Sequence, residues 1–369
     1  PVTVAGIDPD FKLPQVWKNT LAADFKLPLP FNTEMTIEGI YAKNLNAVIQ
    51  QNVNVIPLSD SKMKRFAGPD NRYLYPGSTE SRIYKDMADA YILTNTTKGY
   101  SYSLNASLRM NPIENLNAML SYTYTGSKEV SGNPGAQPNE LWQNVPTVNG
   151  GNYMELTNSQ YLTPHKVIAS LSYRIPYAKN FATSVSLFYS GYNAGNFSYM
   201  YDGDMNQDGI NNDLIYIPKS KDELTFVDKN GFTAEQQAEA FWNYVNQDSY
   251  LKNHKGEYAK AYSARYPWVN QIDLKVVQDF IVKAGKTTNT LQVSLDIFNL
   301  GNLLKDTWGV TKVPVNSGRI LKYEGVTADN VPTFSMYQSE NKLPTETFSY
   351  LKNSSNCWQI QVGIRYIFN

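Results

Sequence analysis

The hydrophobic pattern is clearest at the end of the chain, where residues 358–368 alternate without a break. One face carries apolar side chains only: Trp358, Ile360, Val362, Ile364, Tyr366 and Phe368. The other face is mostly polar and carries Gln359, Gln361, Gly363, Arg365 and Ile367. Successive side chains of a β-strand point to opposite faces, so this period of two predicts a strand. An apolar face with aromatic ends, opposite a polar face, is typical of a strand between lipid and a wet lumen.

Nine segments of the chain alternate in this way and predict nine strands. They are residues 17–27, 33–48, 99–110, 116–124, 166–175, 181–189, 271–282, 291–297 and 358–368. The chain is therefore expected to be all-β and antiparallel. Alternation alone leaves two alternatives open, because a soluble sandwich or small barrel also has one apolar face, turned inward.

The lengths of the connections favour a membrane barrel. Short turns at 27–32, 111–115, 176–180 and 284–287 alternate strictly with long connections at about 51–97, 127–161, 192–268 and 301–356. Soluble domains rarely carry so many long loops at one end. Outer-membrane barrels combine tight periplasmic turns with long extracellular loops. The pattern predicts a transmembrane barrel in the bacterial outer membrane, with extracellular long loops and a periplasmic C-terminus.

An odd number of strands has a further consequence for domain organisation. Bacterial single-chain barrels close with an even number of strands, and an open sheet would leave unpaired backbone groups in lipid. We therefore expect residues 1–369 to be the C-terminal part of one larger barrel. The remaining strands would belong to an absent or cleaved segment, or to another chain.

Composition excludes some classes of protein. Mean hydropathy is −0.43 and no run of 18 apolar residues occurs, which excludes a bundle of transmembrane helices. The net charge is zero, so nucleic acid is not an expected partner. Tyrosine outnumbers phenylalanine by 27 to 15, which suits a membrane interface but also a Tyr-rich secreted sandwich. The single cysteine, Cys357, permits no internal disulfide.

One loop has the spacing of a calcium site. Oxygen-bearing residues recur at alternate positions before Gly209, and the candidate ligands are Asp202, Asp204, Asn206, Asp208, Asn212 and Asp213. Counting from Asp204 places Gly209 at the sixth position of a calcium loop but Ile215 at the twelfth, where an EF-hand has glutamate. Counting from Asp202 places Asp213 twelfth but displaces the glycine. The alternative interpretation is an Asx- and Gly-rich turn without a metal.

A helix is predicted inside the third long connection. Thr233 and Gln236 have capping-box spacing, and the stripe that follows carries Ala238, Phe241, Trp242 and Val245. We expect this helix to pack over the mouth of the barrel, rather than to contact a partner lipoprotein or substrate. His165 and His254 are far apart in sequence and lack a supporting Cys or Glu cluster, and no nucleophile motif is visible. The chain is therefore not expected to be an enzyme.

Several segments resemble a known family, the C-terminal barrel of TonB-dependent outer-membrane receptors from Bacteroidetes, in the Oar-like subgroup related to SusC-type transporters. The resemblance is carried by TPHKVIASLSYRIPYAKNFATSVSLFYSG, DGDMNQDGINNDLIYIP, PWVNQIDLKVVQDF and LQVSLDIFNLGNLL. The ending GIRYIF resembles the assembly signal of outer-membrane proteins, apart from the additional Asn369. The resemblance implies a barrel of about 22 strands closed by a plug. In this family the plug and the TonB box lie upstream, so TonB would act through a part outside this sequence.

The expected function is import of a bulky nutrient through that plugged barrel. The alternative is a passive porin, or a surface or adhesion protein that uses the barrel as an anchor. Outer-membrane lipid, the N-terminal plug and barrel portion, and a surface lipoprotein are the expected partners. The residues do not identify a substrate, since glycan, peptide, vitamin and metal chelate all fit.

Overall fold

A computed structural model describes residues 1–29, 31–132, 135, 137 and 139–368. Pro30 of the first short turn and the terminal Asn369 therefore lie outside the described residues, as do four residues of the second long connection. The strands in the described ranges are β1 Val2–Ile7, β2 Gln15–Lys26, β3 Glu34–Asn52, β4 Lys64–Arg65, β5 Tyr73–Leu74, β6 Met87–Thr96, β7 Tyr100–Met110, β8 Leu116–Glu129, β9 Thr157–Asn158, β10 His165–Tyr177, β11 Phe181–Asn193, β12 Asn196–Phe197, β13 Tyr201–Asp202, β14 Thr225–Phe226, β15 Ala264–Arg265, β16 Trp268–Ala284, β17 Thr287–Phe298, β18 Lys312–Pro314, β19 Leu321–Val326, β20 Pro332–Met336, β21 Phe348–Tyr350 and β22 Gln359–Phe368.

Helices are few and short. The α-helices are α1 Glu140–Gln143, α2 Ala234–Gln247 and α3 Leu300–Leu304, and the 3₁₀ turns are Gly151–Tyr153, Lys221–Glu223, Leu251–Asn253, Val315–Gly318 and Ser354–Asn356. Among the described residues, no helix has the length and apolar character needed to cross a membrane.

Nine long strands form one antiparallel sheet in chain order: β2, β3, β7, β8, β10, β11, β16, β17 and β22. We call these nine strands the wall. Each of them overlaps one of the nine segments predicted from alternation. Because consecutive strands pair antiparallel, their short connections all lie at one end of the wall and the long connections at the other. The turn between β10 and β11 places Ala178 and Lys179 at positive φ, a conformation that tight hairpin turns commonly use.

The register of the wall sorts its side chains into two continuous faces. One row crosses six strands and is formed by Leu116, Tyr173, Val185, Val276, Leu295 and Val362. The adjacent row on the opposite face is Asn117, Ser172, Ser186, Lys275, Asp296 and Gln361. Leucines, isoleucines and valines of the first face are exposed on most wall strands. The wall therefore turns an uncovered apolar surface outward and keeps most of its charged residues on the other face.

The sheet contains three strands that alternation did not predict, β1, β6 and β9, and has twelve strands in all. The end of β3, Ala47–Asn52, pairs with β6, so β3 extends beyond the predicted limit at residue 48. Strand β1 pairs parallel with β6. The adjacent residues Ala90 and Tyr91 of β6 are both buried, so this strand is covered on both faces and lacks the alternating signature.

The two outer strands of the wall each have one free edge. Within the described residues, β2 pairs only with β3 and β22 pairs only with β17, so the sheet does not close on itself. Every residue of β2 is exposed, as are most residues of β22. Both strands thus present unpaired backbone groups and uncovered side chains on both faces.

Candidate functional site

The long connections pack together into a compact body at one end of the wall. We call residues 51–97, 127–161, 192–268 and 301–356, as far as they are described, the cap. The cap contains a single large cluster of buried apolar side chains, with Tyr199, Tyr201, Phe241 and Phe334 near its centre. All members of this cluster come from the long connections, and none comes from the wall. The chain therefore has its hydrophobic core outside the predicted membrane-spanning strands.

Helix α2 supplies part of this core and begins as predicted. The Thr233 hydroxyl accepts a hydrogen bond from the Gln236 backbone amide, and the Gln236 side chain accepts one from the Thr233 amide. This reciprocal capping box satisfies two backbone donors at the start of the helix. Phe241 and Val245 of the predicted stripe are buried, whereas Ala238 and Trp242 pack at the margin of the core. The predicted helix and its capping box are confirmed, and its position over the mouth of the barrel stays a prediction.

A fully buried arginine ties two of the long connections together. Arg72 Nε lies 2.9 Å from Asp70 Oδ1 and its Nη1 lies 3.2 Å from Asp213 Oδ1, with no solvent exposure of these side chains. Its Nη2 also donates to the Leu214 carbonyl at 2.6 Å. Burial by itself would lower the pKa of Arg72, but the carboxylates of Asp70 and Asp213 raise it, so the guanidinium stays charged. The sequence does not predict this pairing, because 141 residues separate Arg72 from Asp213 and no local pattern relates the two residues.

The predicted calcium ligands divide into two sets. Asp204, Asn206 and Asp208 stay together in one tight loop, where Asp204 accepts hydrogen bonds from the amides of Asp208 and Gly209. Asn206 Oδ1 accepts another from the Asp208 amide at 2.9 Å. Burial and the nearby Asp204 raise the pKa of Asp208 to about 7. A cation placed among these oxygens would favour their ionised form.

In the second set, the side chains of Asp213 and Asn212 are committed to structural contacts. Asp213 binds Arg72 through one oxygen and accepts the Met205 amide at 2.8 Å with the other. Asn212 donates to the carbonyls of Gln143 and Val145, and Asp202 lies in β13 beside β19. Within the described ranges, no group of three His, Cys, Asp or Glu side chains is placed to hold a metal ion. Asp204, Asn206 and Asp208 fit calcium by their oxygen chemistry, and the ion itself stays a prediction.

The cap also contains a cavity of about 420 Å³ between the second and third long connections. Its lining includes the rings of Tyr153 and Tyr258 and three charged side chains, Glu155, Glu257 and Lys260. Within the described part of the chain, these three charges have no hydrogen-bond or ion-pair partner. The hydroxyl of Thr147, also in the lining, is buried and has no partner there either. Free polar groups beside aromatic rings are what a pocket for a polar ligand requires.

The polar face of the wall carries its own ion pairs. Lys275 Nζ lies 2.7 Å from Asp296 Oδ1 on the neighbouring strand. Arg174 reaches across β11 to Asp279, which also accepts a hydrogen bond of 2.8 Å from Gln292. These ion pairs join strands of the wall on its polar face, as expected for a face that borders a water-filled lumen. They do not converge on a reaction centre.

The two histidines lie in separate regions. His165 Nδ1 lies 2.8 Å from the Tyr122 hydroxyl on the wall, and His254 Nδ1 lies 2.8 Å from the Tyr250 carbonyl in the cap.

Aromatic residues border the apolar face of the wall at both ends. Near the short turns, one row contains Tyr177, Phe181, Phe280 and Tyr366, interrupted only by Leu291. Near the long connections, Tyr41 pairs with Tyr102, and Trp268 begins β16. Two aromatic borders around an apolar band are the signature of strands that cross a membrane.

Comparison with known proteins agrees with this geometry. Residues 1–318 match the family described as outer membrane beta barrel domain. The chain therefore belongs to this family, which confirms the predicted all-β outer-membrane barrel fold and places the protein in the outer membrane. No curated protein matches the chain. Among solved structures, it is similar to the outer membrane transporter YddB from Escherichia coli, with a TM-score of 0.39 and 12% identity, over 98% of this chain and 33% of that chain. The chain thus spans about a third of the length of that transporter.

Proposed function

We propose that the chain is part of a TonB-dependent outer-membrane receptor of the Bacteroidetes Oar-like type, which imports a bulky nutrient through a plugged barrel. The observation that carries the proposal is the packed cap with its polar cavity at one end of the wall. A passive pore needs an open lumen. Its function does not require a cap with a hydrophobic core and buried ion pairs. A receptor needs a rigid outer surface that recognises its cargo. On this proposal the chain carries no catalytic step.

The free edges of β2 and β22 support the proposal that this chain forms only part of the barrel. Lipid offers no hydrogen bonds to an open sheet edge, so further strands must pair with both. We propose that an N-terminal portion of the protein, or a second chain, supplies those strands, the plug and the contact with TonB. The complete barrel would have about 22 strands. In this arrangement the cap is extracellular and the C-terminus is periplasmic.

The cap is the proposed site of cargo recognition, and a surface lipoprotein is a further candidate partner that would cover it. The cavity beside Tyr153 and Tyr258 offers carboxylate, ammonium and hydroxyl groups next to aromatic rings. These groups suit a polar cargo that can form several hydrogen bonds.

Planar-bilayer recording of the protein purified from outer membranes, with any accompanying chain, separates the alternatives. A plugged receptor is expected to show no steady conductance until the plug is unfolded with denaturant. A passive porin would show large, stable open channels without denaturant, and that result would overturn the proposal. An adhesion protein would also show no steady conductance, so a second test is needed. Growth of a strain that lacks this protein is compared with growth of the parent strain on panels of single nutrients. Loss of growth on one nutrient, reproduced when the TonB protein is deleted, is the result expected for a receptor.

A further inference from the structure

A second cavity, of about 390 Å³, lies outside the cap core, at the border between the wall and the last long connection. We call it the rim pocket. It lies between the first residues of β16 and the segment 301–312, and its lining includes Trp268, Ile272, Trp308, Lys312 and Tyr350. None of these residues is part of the cavity or the acidic loop described above.

The rim pocket opens on the apolar face of the wall. Trp268, Asn270 and Ile272 line the pocket from one face of β16, and the buried Val269 between them also contributes to the lining. Ile272 pairs with Tyr189, which pairs with Ala169, in a row of the apolar face. Asn270 Oδ1 accepts hydrogen bonds from the Trp268 indole and the Tyr189 hydroxyl, at 2.9 and 2.7 Å. Trp268 is therefore fixed on the side that faces lipid in an outer-membrane barrel.

The segment opposite β16 exposes large apolar side chains. Leu304 is 72% exposed and Trp308 is 53% exposed, and both lie in the long connection that follows the wall strand β17. Contiguous exposed apolar residues mark a surface that is covered by a partner or a membrane. Trp308 lines the rim pocket together with Ile272 of the apolar face, so the pocket borders the surface of the wall that faces lipid.

Positive charge stands at the edge of the same pocket. Lys312 Nζ lies 4.7 Å from the centre of the Tyr350 ring, and Lys305 Nζ lies 5.8 Å from that of Trp308. Within the described residues, neither lysine has an ion pair, and no carboxylate lines the pocket. A lysine held over an aromatic ring keeps its charge available for an anion at the membrane surface.

We propose that the rim pocket binds an anionic, phosphate-bearing lipid of the surrounding membrane. Its acyl chains would lie along the wall beside Ile272, and its phosphate would lie between Lys305 and Lys312. The two tryptophans would hold the region between headgroup and chains, where amphipathic rings are favoured. The inference depends on the membrane position of the wall and not on the transported cargo.

The test is native mass spectrometry of the protein purified from outer membranes with any chain that completes the barrel. The probes are phosphatidylglycerol, zwitterionic phosphatidylcholine and inorganic phosphate. The unaltered protein is expected to retain phosphatidylglycerol in preference to phosphatidylcholine. Each of the substitutions Lys305→Gln and Lys312→Gln should weaken that retention about fivefold, since one lysine near a membrane surface contributes about 1 kcal/mol.

The matched control is Lys64→Gln combined with Lys252→Gln, two exposed cap lysines without ion pairs, which should leave lipid retention unchanged. The heat-dependent gel mobility of each variant shows whether the barrel has assembled. Equal retention of the two lipids, or full retention by the assembled Lys305→Gln, Lys312→Gln double variant, would overturn the proposal. Displacement of the lipid by inorganic phosphate at equal concentration would show a soluble-anion site instead.

Discussion

The wall and the cap are built from one chain but are stabilised in opposite ways. The wall has exposed leucines, isoleucines and valines on one face and a polar opposite face, and its strands are joined by long antiparallel ladders. The cap has its tyrosines, phenylalanines and leucines inside. This difference indicates that the apolar side chains of the wall face lipid, whereas those of the cap are buried away from water. An apolar side chain is stabilised in the wall by facing lipid and in the cap by leaving water.

Charged residues follow the same division. In the wall, Lys275 is half exposed in its pair with Asp296, as expected on a hydrated face. In the cap, Arg72 is completely buried between Asp70 and Asp213. A hydrated pair contributes little to stability, whereas breaking a buried pair leaves an uncompensated charge. The comparison therefore predicts that equivalent substitutions have unequal effects in the two regions.

The largest effect is expected for Arg72→Met, which leaves Asp70 and Asp213 buried without their cation. Breaking a buried ion pair in this way costs about 3–5 kcal/mol. We expect faster hydrogen exchange in cap residues 199–217 and unchanged heat-dependent gel mobility of the wall. Lys85→Met, at an exposed pair with Glu80, is the control and should change neither readout. Simultaneous loss of the wall would show that the two regions are not separable.

The next effect concerns the lipid-facing side of the wall. Leu171→Arg places a charge on the apolar face, at a cost of about 2–4 kcal/mol near the bilayer midplane. Ser170→Arg introduces the same side chain one residue away, on the polar face, and should be tolerated. Urea-induced unfolding in lipid vesicles measures both variants. Equal destabilisation by the two substitutions would be inconsistent with lipid on one face only.

A smaller effect is expected at the start of α2. Thr233→Ala removes the oxygen that caps the Gln236 amide, and loss of an N-cap costs about 1 kcal/mol. Hydrogen exchange of residues 234–247 should accelerate, while the wall strands keep their rates. Thr233→Ser retains the capping oxygen and should restore slow exchange. If Thr233→Ser behaves like Thr233→Ala, the cap hydrogen bond is not the cause.

The smallest effect is expected on removal of calcium from the loop around Asp204 and Asp208. The Asp204 carboxylate already holds this loop closed by accepting hydrogen bonds from the amides of Asp208 and Gly209, so a chelator should accelerate exchange only at residues 204–210. Metal analysis of protein purified without chelator should find calcium, and Asp204→Asn combined with Asp208→Asn should abolish it. Absence of calcium from the unaltered protein would favour the metal-free Asx turn.

Sequence reasoning located the wall strands but not the organisation of the cap. A strand with one apolar face has a period of two, and every wall strand carries that signature. The capping box of Thr233 and Gln236 is equally local. The cap core instead joins residues such as Tyr201 and Phe334, whose rings stack at 5.3 Å although they are far apart in sequence. Asp213 shows the same limit, since its spacing suggested a calcium ligand but its side chain binds Arg72.

Accessibility along β10 tests most directly whether the wall separates lipid from water. Single spin labels are introduced at positions 168–175 of the Cys357→Ser protein, purified with any chain that completes the barrel and reconstituted in lipid. Collision with oxygen, which dissolves in lipid, should peak at Ala169, Leu171 and Tyr173. Collision with a water-soluble nickel complex should peak at the alternate positions, Ser170, Ser172 and Arg174. Two profiles that rise and fall together, or no alternation in either, would contradict a wall with lipid on one face and water on the other.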